Sequence, residues 1–229
     1  MQEPPLLELK GERAYRIIPS RYPTINVFED VANADELEAV WAIEALTNDR
    51  LREDAGELER VPKEDWLVGL SGGSYVMAAF THINPEGARF TTGDFGGYYC
   101  APMLDTAVKE TVYHQERLFG YTNEPAQKVQ MRVLHTEFDA SLADITGEEF
   151  LSTPLYHATN YGQSQAFAAG QKASKRDGIR YRSVRHSGHD CYVLYRPCLV
   201  TQVLQAQHLD YHWNGSAIAN VLEIKLYGE

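Results

Sequence analysis

GARFTTGDFGGYYCAPMLDTAVKETVYH, residues 87–114, holds the order of elements that decides the fold. Gly93, Gly96 and Gly97 mark turns, a short extended piece follows around Tyr98, and 104–119 has the composition of a helix. Outward from this run the same alternation continues. Towards the N-terminus, 14–19 (AYRIIP) reads as a strand. Asn33 is placed to cap a helix running through Leu46, with Leu37, Val40, Trp41 and Glu44 at helical spacing. The charged stretch 48–65 reads as a solvated loop. Ser71-Gly72-Gly73 reads as a turn, and the apolar run 75–83 after it as a strand.

Towards the C-terminus, 128–138 alternates as a strand with Val129, Met131 and Val133 on one face. A helix is expected over 158–173, then a turn at Asp177-Gly178. Strands 179–185 and 191–196 flank a turn at Gly188, and 222–227 is a last strand. Tyr211-His212-Trp213-Asn214 reads as an aromatic turn. Short strands with a few helices between them predict a mixed α+β fold. A chain of 229 residues suits one domain, 1–229, with one core.

With 21 basic against 32 acidic residues the net charge is −11, which argues against direct nucleic-acid binding. It leaves room for a small anion held by a few local arginines. Cys100, Cys191 and Cys198 form no disulfide framework and no Cys-x-x-Cys motif. Residues 1–10 lack the features of a secretory signal, and no apolar run is long enough to span a membrane, so a cytoplasmic location is expected. His186, His189 and Cys191 are irregularly spaced for a metal site, so no metal is expected. Cys100 reads as a small buried hydrophobe, not a nucleophile. The glycines at 93, 96 and 97 do not make G-x-G-x-x-G, so a Rossmann reading is rejected.

Polar residues inside apolar or glycine-rich elements are the candidates for chemistry: Arg16 in AYRIIP, Arg89 in GARF, Glu110 in TAVKETVYH and Ser183 in YRSVR. A buried arginine is costly unless an anion meets it, and its planar fork suits phosphates. Two arginines, tyrosines and a helical carboxylate would together suit a pyrophosphate-bearing ligand. Taken singly, each arginine is more often a salt-bridge residue, and Glu110 has His114 one turn away as a partner.

The run 87–114 resembles the core motif of RES-domain proteins: Gly-x-Arg-aromatic, a tyrosine strand, Ala, then a helix bearing a glutamate and often a histidine. DGIRYRSVR (177–185) resembles the family's second signature, which ends in a serine. AYRI, YGQSQAFAAG and CYVLYRP resemble its opening strand, helix and later strand. The resemblance spans roughly 12–200, with a divergent insertion around 30–80. Ala88 and Phe90 stand where Gly and Trp are common.

The resemblance implies a fold like that of ADP-ribosyltransferases of the diphtheria-toxin type. It also implies a toxin that consumes NAD, as glycohydrolase or phosphorylase, by breaking the nicotinamide–ribose bond. NAD is then substrate, and no true cofactor is expected. A small helix-turn-helix antitoxin covering the active site is the implied partner. Glu110 is the expected stabiliser of the ribose cation. Arg16 and Arg89 are expected on the pyrophosphate, Tyr99 against the nicotinamide, and Ser183 on the ribose or the amide. Arg21 competes with Arg16, and Tyr98 with Tyr99. Alternatives are a protein ADP-ribosyltransferase, an effector delivered into rival cells, and a silent NAD- or partner-binding module.

Overall fold

The computed structural model describes residues 2–20, 28–29, 33–38 and 57–225. Its spine is β3 (Gln127–Asp144), a strand buried on both faces. Even positions Leu134, Phe138, Ala140 and Leu142 enter one apolar core. Odd positions Met131, Val133 and Ala143 enter the other. Side chains alternate across a strand, so a strand apolar at both parities must be covered on both sides.

β1 (Leu6–Pro19) runs antiparallel along one edge of β3, and β6 (Val200–Trp213) along the other. β7 (Ile218–Ile224) extends the sheet beyond β6. Where β6 stops, β4 (Gly178–Arg182) takes its place beside Leu142, Ala143 and Asp144 as a parallel partner. β5 (Asp190–Leu194) and β2 (Tyr98–Cys100) complete the order β2-β5-β4-β3-β6-β7, with β1 off this path.

Helix α1 (Gly73–Thr81) packs on the first core through Val76, Met77 and Phe80. Helix α2 (Leu104–Thr122) packs on the second through Leu104, Ala107, Val108 and Val112. The short α3 (Glu148–Leu151) and α4 (Gly162–Ala173) contribute Phe150 and Ala168 to the second core. The architecture is therefore mixed α+β, as the sequence predicts.

Four expectations need correction. The apolar run 75–83 is helix, not strand: buried Val76, Met77, Phe80 and Thr81 recur at helical spacing. A continuous apolar run carries no period that separates a buried strand from a buried helix. Here Gly72, left-handed at φ 79°, turns the chain straight into the helix. The described part of 48–65 is not a solvated loop. Leu58 and Val61 are in the first core, and Asp65 is buried against Arg196. Residues 48–56 lie outside the described residues.

The aromatic turn at 211–214 is the end of strand β6. Tyr211 and Trp213 are buried, and the turn comes at 214–216, where Asn214 Oδ1 accepts the Ser216 and Ala217 amides. The turn expected at 177–178 lies earlier, at Ser174 and left-handed Lys175. Gly178 already belongs to β4.

Asn33 does cap a helical turn at 34–38, its Oδ1 accepting the Glu36 amide at 2.9 Å. Val40, Trp41, Glu44, Leu46 and Arg21 lie outside the described residues, as does Tyr227 of the expected last strand.

Candidate active site

β2 and β5 pair Tyr99 with Val193, and three residues after β2 the chain enters α2. Helical spacing then puts Ala107, Glu110, Thr111 and His114 on one face, and all of them line a cavity of about 290 Å3. The Thr111 and Tyr211 hydroxyls, 2.7 Å apart, tie this turn of the helix to β6. Arg16, Arg89 and Tyr99, from β1, the 87–91 loop and β2, line the same cavity. Residues far apart in the chain, Arg16 and Glu110 among them, are thus brought to one place.

Glu110 is held by Ser183, whose Oγ donates to Glu110 Oε1 at 2.6 Å. The Ser183 oxygen also accepts the amides of Arg185 (3.1 Å) and His186 (2.8 Å). A hydroxyl has one donor and two lone pairs, so these contacts use it fully. Ser183 is buried and is absent from the residues lining the cavity. In this structure the Ser183 hydroxyl faces Glu110 and two backbone amides, so it holds the carboxylate in place. Ser183→Ala should leave Glu110 undirected and two amides without an acceptor. The expected result is a loss of about 1–2 kcal/mol in urea unfolding, and a fall in activity of about tenfold, less than for loss of Glu110 itself. A Ser183→Ala enzyme of unchanged activity would break the link.

Arg89, 8% exposed, donates from Nη1 to the Leu155 (3.1 Å) and His157 (2.8 Å) carbonyls, and its guanidinium lies 4.7 Å from the Tyr161 ring. Arg16 donates to the Tyr99 carbonyl at 2.9 Å and lies over the Tyr98 ring, while its Nε is buried with no hydrogen-bond partner. A third arginine, Arg185, stacks on Tyr113 at 3.4 Å. Among the described residues none of these three arginines forms an ion pair with a carboxylate. In a chain of net charge −11 they give the cavity the opposite sign from the whole molecule.

The tyrosines separate cleanly. Tyr98 is fully buried in the first core, its hydroxyl 2.6 Å from Thr136 Oγ1. Tyr99 lines the cavity and accepts the Phe90 amide on its hydroxyl at 3.0 Å. Burial pushes the Tyr99 phenol up to about 12, so its hydroxyl stays protonated at neutral pH. Burial likewise pushes Cys100 up to about 12 and raises Cys191, which removes both from consideration as thiolate nucleophiles. His186 and His189 stack on each other at 3.7 Å. Among the described residues no group of His, Cys, Asp and Glu is arranged to hold a metal.

Tyr15, His114, Tyr161 and Arg185 also line the cavity and were not assigned from the sequence. Each lies inside a run quoted there: Tyr15 in AYRI, His114 in 87–114, Tyr161 in YGQSQAFAAG and Arg185 in 177–185. Burial, then Arg117, Arg185 and Arg89, lower His114 from 6.5 to about 4. Below pH 6.5 the unfolded chain binds a proton that the folded one refuses until about pH 4. The stability held by neutral His114 is complete above 6.5 and is lost as pH falls towards 4. Urea unfolding from pH 7 to 4 should show a slope of at most about 1.4 kcal/mol per pH unit from this group. His114→Gln should remove that component; an unchanged slope would show that other groups set it.

The model of the RES domain family matches residues 58–214. The chain belongs to the RES domain family. Arg16, a candidate from the sequence, lies before the matched stretch and lines the same cavity. Among curated proteins, the uncharacterized protein y4oC of Sinorhizobium fredii (strain NBRC 101917 / NGR234) is 27% identical over 211 residues, covering 90% of this chain and 84% of that protein. Among solved structures, the MbcT–MbcA toxin–antitoxin complex of M. tuberculosis gives a match of TM-score 0.40 at 13% identity. That match covers 55% of this chain and 72% of the other. Among the described residues no helix is long and apolar enough to cross a membrane.

Proposed function

We propose that this RES-domain chain is a cytoplasmic toxin that consumes NAD by breaking the bond between nicotinamide and ribose. The observation that carries the reading is the cavity itself. Glu110, fixed by Ser183, is the carboxylate on a wall otherwise charged by Arg16, Arg89 and Arg185. The arginines suit a diphosphate through charge-assisted hydrogen bonds, and the unpartnered Arg16 Nε is a donor left over for it. At about 290 Å3 the cavity suits the nicotinamide–ribose end, at the low end of small-molecule sites.

In this reading Arg16 and Arg89 hold the pyrophosphate, and the Tyr99 ring packs against the nicotinamide. As the C1′–N bond breaks, its electron pair leaves with nicotinamide, which departs neutral. Positive charge then develops on the ribose. Glu110 stabilises that charge and accepts a hydrogen bond from the 2′-hydroxyl. Water adding at C1′ and losing a proton gives ADP-ribose; phosphate adding there gives the sugar phosphate. The family resemblance adds a partner: a small helix-turn-helix antitoxin that covers the cavity.

The test is loss of NAD over time with purified protein, with and without phosphate, beside Glu110→Gln. Loss that depends on Glu110 supports the reading, and the product separates hydrolysis from phosphorolysis. A folded protein that leaves NAD intact under all these conditions would overturn it.

A further inference from the structure

The segment 155–161 crosses one side of the cavity between a short 3-10 turn (Pro154–Tyr156) and α4. Its base is anchored. Leu155 is fully buried, and the Tyr156 hydroxyl donates to the Ile145 carbonyl at 2.7 Å while accepting the Arg182 amide. Beyond that base, 157–160 are exposed. Their local bonds are their own: His157 Nδ1 accepts the Thr159 and Asn160 amides, and Asn160 Oδ1 accepts that of Gly162.

What ties this stretch to the rest of the molecule is the pair of cavity arginines. Arg89 reaches the Leu155 and His157 carbonyls, and Arg185 reaches the Ala158 carbonyl at 2.5 Å. Tyr161, at the far end, lines the cavity with the Arg89 guanidinium over its ring. Each guanidinium carries five N–H donors, so one group can hold a strap carbonyl and an anion at once. Among the described residues neither arginine forms an ion pair with a carboxylate. The strap is thus fastened by the same side chains that line the cavity.

We propose that 155–161 is a ligand-coupled strap and that Tyr161 is its ligand-contacting residue. An anion that takes the remaining donors of Arg89 and Arg185 tightens their hold on the strap carbonyls and keeps the Tyr161 ring, already on the cavity wall, against the planar end of the ligand. The identity of the full ligand rests on the NAD reading above. The coupling itself needs only an anion with the charge of a diphosphate.

Hydrogen exchange of the full chain tests this with two probes, ADP-ribose and inorganic pyrophosphate. Amides of 158–162 should exchange about tenfold more slowly at saturation, the factor expected for fixing one charge-assisted hydrogen bond. Tyr161→Ala should raise KM for NAD by about three- to tenfold with a smaller change in kcat, and Tyr161→Phe should restore it. Protection by pyrophosphate in a protein that leaves NAD intact supports the strap while removing the NAD reading. NAD turnover with no protection by either probe does the reverse. Unchanged exchange with both probes overturns the strap, and equal KM values for Tyr161→Ala and wild type overturn the role of Tyr161.

Discussion

Glu110→Gln is expected to slow NAD loss by about 10²- to 10³-fold in kcat, the scale of removing one electrostatic contact made in the transition state. KM should change far less, because the charge that Glu110 answers develops only as the bond breaks. Glutamine keeps an oxygen for Ser183 to donate to, so the hydrogen bond at 2.6 Å has an acceptor in the variant as well. Folding is therefore expected to be near normal, and urea unfolding beside the kinetics separates a chemical defect from a structural one. A glutamine variant within about threefold of wild type in kcat would remove Glu110 from the chemistry.

Gly178→Ala is expected to do to the fold what Glu110→Gln does to the reaction. A Cβ at 178 would stand 2.0 Å from the Val193 carbonyl oxygen and 3.0 Å from Leu142 Cδ2. The first of these is backbone of β5, which is paired to β4 on one side and β2 on the other. No rotamer relieves the overlap, so strands must part. A cost of at least about 3 kcal/mol follows, the upper range for overpacking a core. Gly170→Ala is the control. A Cβ there meets nothing within 4 Å, and alanine should stabilise α4 by about 0.5–1 kcal/mol. Equal urea midpoints for Gly178→Ala and wild type would show that the sheet has more room than its register implies.

Where the sequence carried a clear period, as in 128–138 and 104–119, its reading and the structure agree. β3 alternates and is a strand. α2 is a helix that runs through Thr122 to a left-handed Asn123. The misreadings have two physical sources. Residues 75–83 are apolar at every parity, so burial leaves no period to read. β6 begins with polar Gln202, Gln205 and Gln207 and alternates only near its end; pairing to β3, far away in sequence, makes it a strand.

The site was legible as a set of residues more than as a set of contacts. Arg16, Arg89 and Glu110 stood out because each sits oddly in its element, Tyr99 came from the family resemblance, and all four line one cavity. Ser183 was found, but no local pattern tells that its hydroxyl faces Glu110, seventy-three positions away. Tyr161 and Arg185 went unassigned for the same reason: their partners are carbonyls of 155–158 and rings that only the fold brings near.

The Glu110–Ser183 hydrogen bond also sets an order of events in time. Its halves lie on either side of β3, α3 and α4 in the chain, and β4 can dock only on a finished β3. During synthesis, a nascent chain that stops short of Ser183 owns the glutamate but not the group that aims it. The Glu110–Ser183 pair forms only once the chain on both sides of β3 has been made, and any product cut short before Ser183 lacks it.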